Sequence, residues 1–149
     1  PAPAPAPFVL PSAAAALTPA LYVQTASDAA LFAVRASELA AARGSGRTRT
    51  LAEAIRRDQQ GIAAQLSFAG RRLDLLPDAS VSPALSAELD RLAASPSFDS
   101  DYRRAVSAAL GRALDAHQAF ARGGGSATLR PVAQMAAPVT RRNVEALRR

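Results

Sequence analysis

His117 is the only histidine and cysteine is absent, so any metal site or nucleophile–base pair must use one imidazole or rely on carboxylates. Paired-metal centres in helical bundles need a Glu from each of two helices and a Glu-x-x-His from each of the other two, because residues i and i+3 share a helix face. The residue three before His117 is Leu114, and Asp115 stands two positions away, a spacing that does not share that face. The paired-metal motif is therefore absent. Glu38, Asp58, His117 and Glu145 could supply a mononuclear site from separate helices, but no repeated spacing ties them together. A hydrogen-bonded or half-exposed structural His117 is the simpler reading.

A Ser-His-Asp arrangement would have to use the same His117, and the chain has no Gly-x-Ser-x-Gly elbow to present a nucleophile. Gly123-Gly124-Gly125-Ser126 precedes a helix start, where free N–H groups can hold an anion, but it lacks the spacing and the Lys of a P-loop. It reads as a flexible hinge. Asn143 falls on the inner stripe of a helix, a place for an amide that bonds across a bundle or fixes helix register. These residues point away from an enzyme and name no cofactor.

The elements that would carry these residues are helices. Thr18-Pro19 reads as an N-cap with Pro in the first turn, and Leu21, Tyr22, Thr25, Ala29, Phe32, Ala36 and Leu39 recur at three or four residues up to about Arg43, before Gly44-Ser45-Gly46. Thr50-Leu51-Ala52-Glu53 has the form of a capping box and predicts the second helix, with Leu51, Ile55, Ile62, Leu66, Ala69 and Leu73 inward. Asp58 and Gln59 fill the turn between Ile55 and Ile62, which puts a polar side chain at the border of the core. Ser82-Pro83 starts a short connecting helix with Leu85, Leu89 and Leu92. Ser95-Pro96 opens the third long helix, whose inner side carries Phe98, Tyr102, Val106, Leu110, Ala113, Leu114, His117 and Ala121. The fourth follows from about Ser126, with Leu129, Val132, Ala136, Val139, Asn143 and Leu147 inward and a kink expected at Pro138. Four long helices with short connections predict an all-α four-helix bundle over residues 18–149. Residues 1–17, rich in Pro and Ala, read as a flexible N-terminal segment.

The chain has 149 residues, enough for one domain with its own core. Its eighteen basic residues are all Arg, and the net charge is +6. Such a charge raises encounter rates with polyanions. The Arg residues fall in scattered pairs with acids nearby and no interleaved aromatics for base stacking, which argues against nucleic acid and reads first as solvated helix faces and ends. The partner is left open, an envelope protein or an anionic polymer being the class that the charge would favour. No uninterrupted apolar run approaches the roughly 18–20 residues of a membrane span. A start at Pro1 rather than Met fits a precursor whose signal peptide has been removed, and predicts an exported, periplasmic location.

Leu21-Tyr22-Val23-Gln24-Thr25-Ala26 with Leu31-Phe32 and Leu39-Ala40, then Arg57-Asp58-Gln59-Gln60, Phe98-Asp99 with Tyr102, and Pro138 to Asn143 occur in an order and spacing that resemble a ferritin-like family of exported bacterial proteins. Members of that family have unknown function and are often labelled outer-membrane proteins. The resemblance covers roughly Leu17 to Leu147 and implies a ferritin-like up-down bundle. It also implies a ligand layer that this chain has lost. Ala33 stands where the family has Glu, and Gln59, Leu110 and Asn143 stand where it has His. His117 resembles a second, less regular family His and does not restore the layer. The resemblance thus predicts a metal-free interaction or structural protein in which Ala33, Gln59, Leu110 and Asn143 converge at mid-bundle, Gln59 and Asn143 satisfy their amides, and Asp58 leans outward or pairs with an Arg. The alternative is a metal-binding oxidoreductase or storage bundle using Glu38, Asp58, His117 and Glu145.

Overall fold

The Thr18 hydroxyl accepts a hydrogen bond from the Leu21 N–H at 3.1 Å, and with Pro19 behind it α1 starts there and runs through Pro19–Arg43 in the computed structural model. The structure describes residues 2–5 and 17–149. It contains α2 (Gly46–Arg72), α3 (Pro83–Ala94), α4 (Phe98–Gly123) and α5 (Arg130–Arg148), with no strand among the described residues. The all-α expectation and the short connecting helix stand. Most of the Pro/Ala segment lies outside the described residues, although Leu17 packs on the core.

Three helix starts and two positions on the α1 stripe differ from the sequence reading. The second helix begins at Gly46 with Ser45 as its cap, and Thr50 sits inside it, its hydroxyl donating to the Gly46 carbonyl at 3.1 Å. Two cap candidates compete there, and the one directly after α1 wins because the chain turns on Gly44 and Ser45 alone. The third long helix starts at Phe98, not at Ser95-Pro96, because Ser95 closes α3 and its hydroxyl bonds Asp101 and the Ser97 N–H. Turns from Ser126 to Leu129 delay α5 to Arg130. Pro138 lies inside α5 on its exposed face, where water can reach the Gln134 carbonyl that lacks its N–H partner. On α1 Tyr22, Ala29, Phe32 and Ala36 are buried as expected and Leu39 packs against the core, while Leu21 (49% exposed) and Thr25 lie outside and Val23, Ala26, Ala30, Ala33 and Ala40 are buried in addition.

Side-chain pairs set the helix directions. Tyr22 meets His117 and Phe120, and fifteen residues on Ser37 meets Tyr102 fifteen residues back, so α1 and α4 are antiparallel. Ile55 clusters with Val144 and Leu147, and Ile62 and Leu66 with Val132, Ala133 and Ala136, so α2 and α5 are antiparallel too. Short connections make α1 and α2, and α4 and α5, antiparallel neighbours. It follows that α2 and α4 run the same way on one diagonal, giving an up, down, down, up order rather than strict alternation. The physical reason is α3, a strap across α1 and α4 that carries the chain back to the end where α2 began.

Two glycines mark close approaches. A Cβ on Gly70 would lie 2.6 Å from the Leu75 carbonyl oxygen, where the chain folds back after α2, and one on Gly124 would lie 2.4 Å from the Phe120 ring. The triglycine is thus more than a hinge, since Gly124 ends α4 under an aromatic cover while Gly123 and Gly125 face open space. The strap is tied at both ends. Asp28 accepts the Ser82 N–H at 2.7 Å, and Arg43 donates to the carbonyls of Leu92, Ala93 and Ser95 at 2.6–2.9 Å. A cation on the free carbonyls of a helix C-terminus answers both their hydrogen-bond demand and the dipole. The same guanidinium lies 5.4 Å over the Phe98 ring at the start of α4. Arg43→Ala should therefore lower stability by about 1–3 kcal/mol, measured by urea unfolding. Arg43→Lys should recover only part of the loss, because an ammonium cannot span three carbonyls and the ring together.

Candidate functional site

The bundle interior divides into two apolar clusters. One gathers Phe32, Ile55, Tyr102, Leu110 and Val144, the other Tyr22, Ile62, Leu66, Phe120 and Ala133. Between them on α2 and α5 lie Gln59, Thr140 and Asn143, all buried. The Gln59 amide nitrogen donates to Asn143 Oδ1 at 2.8 Å and lies 3.4 Å from Thr140 Oγ1. Asn143 Nδ2 in turn donates to Asp58 Oδ2 at 2.8 Å. The chain Thr140, Gln59, Asn143, Asp58 leads from the core to the half-buried flank of α2. Asp58 was expected to lean outward or to pair with an Arg. Instead it receives the amide, because Asn143 needs an acceptor for its second polar group and Asp58 is the adjacent one on α2.

Ala33 and Leu110 are fully buried and belong to one cluster with Phe32, Ala36 and Val106. Neither side chain offers a metal a donor atom, and the two carboxamides are bonded to each other. The donor chemistry at these four positions therefore does not fit a ferritin-type metal pair. The mononuclear candidates do not converge either. Glu38 is exposed and pairs with Arg35 at 3.3 Å, Glu145 is exposed on α5, and Asp58 is occupied by Asn143. Among the described residues no group of three or more His, Cys, Asp or Glu side chains is placed to share an ion.

His117 sits in the second cluster, only 1% exposed, with its Nδ1 at 2.8 Å from the Tyr22 hydroxyl. The two rings meet edge to face, and Tyr22 stacks on Phe120 with centroids 4.3 Å apart. Burial depresses the His117 pKa to about 4 and pushes the Tyr22 phenol up, so both groups are neutral at ordinary pH. At the other end Tyr102 and Ser37 share a hydrogen bond of 2.8 Å, and burial raises that phenol to about 12. The Tyr22–His117 and Ser37–Tyr102 partnerships went unread in the sequence. The only signal for them was the recurrence of both Tyr residues on inward stripes, since each needs a partner for its hydroxyl.

With this geometry in view, the whole described bundle corresponds to one family domain, matched over residues 4–149 and described as a domain of unknown function, DUF4142. The chain belongs to that family. No curated protein and no solved structure matches it significantly. The DUF4142 domain here contains no helix among its described residues long and apolar enough to cross a membrane.

Two outcomes test the buried polar groups. Asn143→Leu strands both Gln59 and Asp58 and should cost about 2 kcal/mol, whereas Gln59→Leu with Asn143→Leu should cost less than the two single changes added together. Urea unfolding of the four proteins closes that cycle. For His117 the folded pKa lies below the unfolded value, so below about pH 6.5 the unfolded chain takes up a proton that the buried ring refuses. The contribution is intact above that pH and is lost as pH falls towards 4, by roughly 3 kcal/mol. His117→Gln should flatten this component of the stability profile between pH 7 and 4, and an unchanged slope would contradict it.

Proposed function

We propose that this member of the DUF4142 family is a ferritin-like bundle of the periplasm or cell envelope that works by interaction and not through a metal centre. Support for the fold comes from the up, down, down, up order with a single crossing connection, the arrangement that distinguishes ferritin-like bundles from strictly alternating ones. The observation that carries the functional reading is the Gln59–Asn143 bond. Two inward side chains at mid-bundle share a hydrogen bond, and the remaining amide nitrogen of Asn143 goes to Asp58, while Ala33 and Leu110 pack as plain core. The exported location rests on the sequence resemblance described above, and fractionation of cells expressing the complete precursor tests it directly.

A bundle without a metal centre still offers a rigid surface. With scattered Arg pairs on its faces and few large exposed apolar side chains, that surface suits an anionic polymer or an acidic envelope protein better than an apolar partner. Protein purified without chelators should carry far less than one equivalent of iron, manganese or zinc by elemental analysis. Stoichiometric metal with redox activity, lost in His117→Ala, would instead establish the metal-dependent alternative. The combined variant Ala33→Glu, Gln59→His, Leu110→His and Asn143→His tests the layer itself. If the positions converge as the family alignment implies, it should gain micromolar or better affinity for a divalent transition metal, on the order of −8 kcal/mol. A folded variant with no such gain would refute the alignment.

A further inference from the structure

At the end of the bundle where α2 and α4 begin and α5 finishes, two adjoining grooves of about 410 and 350 Å³ share the side chains of Arg47, Arg103 and Arg149. These three guanidiniums come from α2, α4 and the residue closing α5. Against them the grooves hold a single side-chain carboxylate, Asp99, which accepts the Ser45 N–H at 3.1 Å and feels the charge of Arg103 one turn on. Among the described residues none of the three arginines makes an ion pair within 4 Å. Four of the eighteen arginines, Arg35, Arg56, Arg91 and Arg104, pair with an acid one turn away on their own helix. What sets the three at this end apart is that they converge from three elements on shared grooves.

The first turn of α2 carries Arg47 and Arg49, two cations at the positive end of a helix dipole. Each such placement opposes folding at low salt, where an Asp or Glu would help. Arg103 is steadied by its bond to the Leu147 carbonyl at 3.3 Å, which fixes one guanidinium across the α4–α5 seam. Of the hydroxyl residues lining the grooves, Ser45, Thr50 and Ser100 already donate to Thr48 Oγ1 and to the Gly46 and Ser97 carbonyls, which leaves the guanidiniums as the open donors. Such planar forks bind multiply charged phosphate through paired N–H contacts.

We infer that the groove lined by Arg47, Arg103 and Arg149 is a binding site for a phosphate-bearing anion, either a free phosphate compound or a lipid headgroup. The arginines supply charge and paired N–H donors, and an anion there relieves the mutual repulsion of the cluster. The site lies at the end of the bundle, away from Gln59 and Asn143, so its success or failure is separate from that of the metal-free reading.

Inorganic pyrophosphate is the first probe, titrated calorimetrically into the whole chain at low salt. Saturable binding is expected, weakened about tenfold by Arg47→Gln and by Arg103→Gln. Arg72→Gln and Arg122→Gln, which remove the same unit charge at the opposite end, should change affinity less than about twofold. Arg47 is exposed, so Arg47→Gln keeps the test valid if Arg103→Gln perturbs folding. Binding to phosphatidylglycerol vesicles but not phosphatidylcholine vesicles, abolished by Arg47→Gln, assigns a headgroup. Pyrophosphate binding without such vesicle binding assigns a free phosphate. Absence of saturable binding, or equal weakening by all four substitutions, overturns the proposal, since it leaves only diffuse charge.

Discussion

Helices that meet through alanine can slide along one another at little cost, because a methyl group fits many neighbouring grooves equally well. Half of the buried face of α1 is of this kind, with Ala26, Ala29, Ala30, Ala33, Ala36 and Ala40 against its neighbours. A buried polar group has no such freedom, since leaving its partner exposes it to desolvation without compensation. Tyr22 with His117 near one end, Gln59 with Asn143 between the two apolar clusters and Ser37 with Tyr102 near the other end therefore pin the register of the four long helices. A slide of one turn on any helix would break at least one of these contacts.

The helices themselves were legible because their signals are local. Thr18-Pro19 and Ser82-Pro83 act through their own first turns, and both caps form as read. The capping box at Thr50 misled because its pattern is equally at home inside a helix, where the Thr hydroxyl turns back to the preceding carbonyl. On α1 the expected phase holds at Tyr22, Ala29, Phe32 and Ala36, but Leu21 reads inward because leucine carries more apolar weight than alanine, while the packing selects small residues where three helices approach closely. Leu21 is consequently left half outside. The shared direction of α2 and α4 was not readable from spacing, since it depends on which helices a strap of twelve residues crosses.

At the mid-bundle positions, sequence comparison gave residue types and the structure gave their partners. That Gln59 and Asn143 face inward follows from periodicity. That Asp58 closes the chain of hydrogen bonds does not, because its position on the helix is compatible with either the flank or solvent. Arg43 and Arg103 illustrate the same gap. Each looks like one more surface charge in the sequence, yet one closes the end of α3 and the other bridges α4 to the last turn of α5. Contacts between residues far apart in the chain are set by tertiary geometry, and single-helix patterns carry no information on them.

The two tyrosines also give the molecule a chemical sense of alkalinity. They are its only phenols, both are fully buried, and they sit towards opposite ends of the bundle. Neither can release its proton at the ordinary value near 10, because the phenolate would stand unsolvated among Phe, Ala and Ile side chains. In the unfolded chain nothing prevents it. Base therefore acts on the fold through two separated points, withdrawing stability as pH climbs past 10 towards the folded-state values, and the ultraviolet absorbance of phenolate emerges together with the opening of the helices around it.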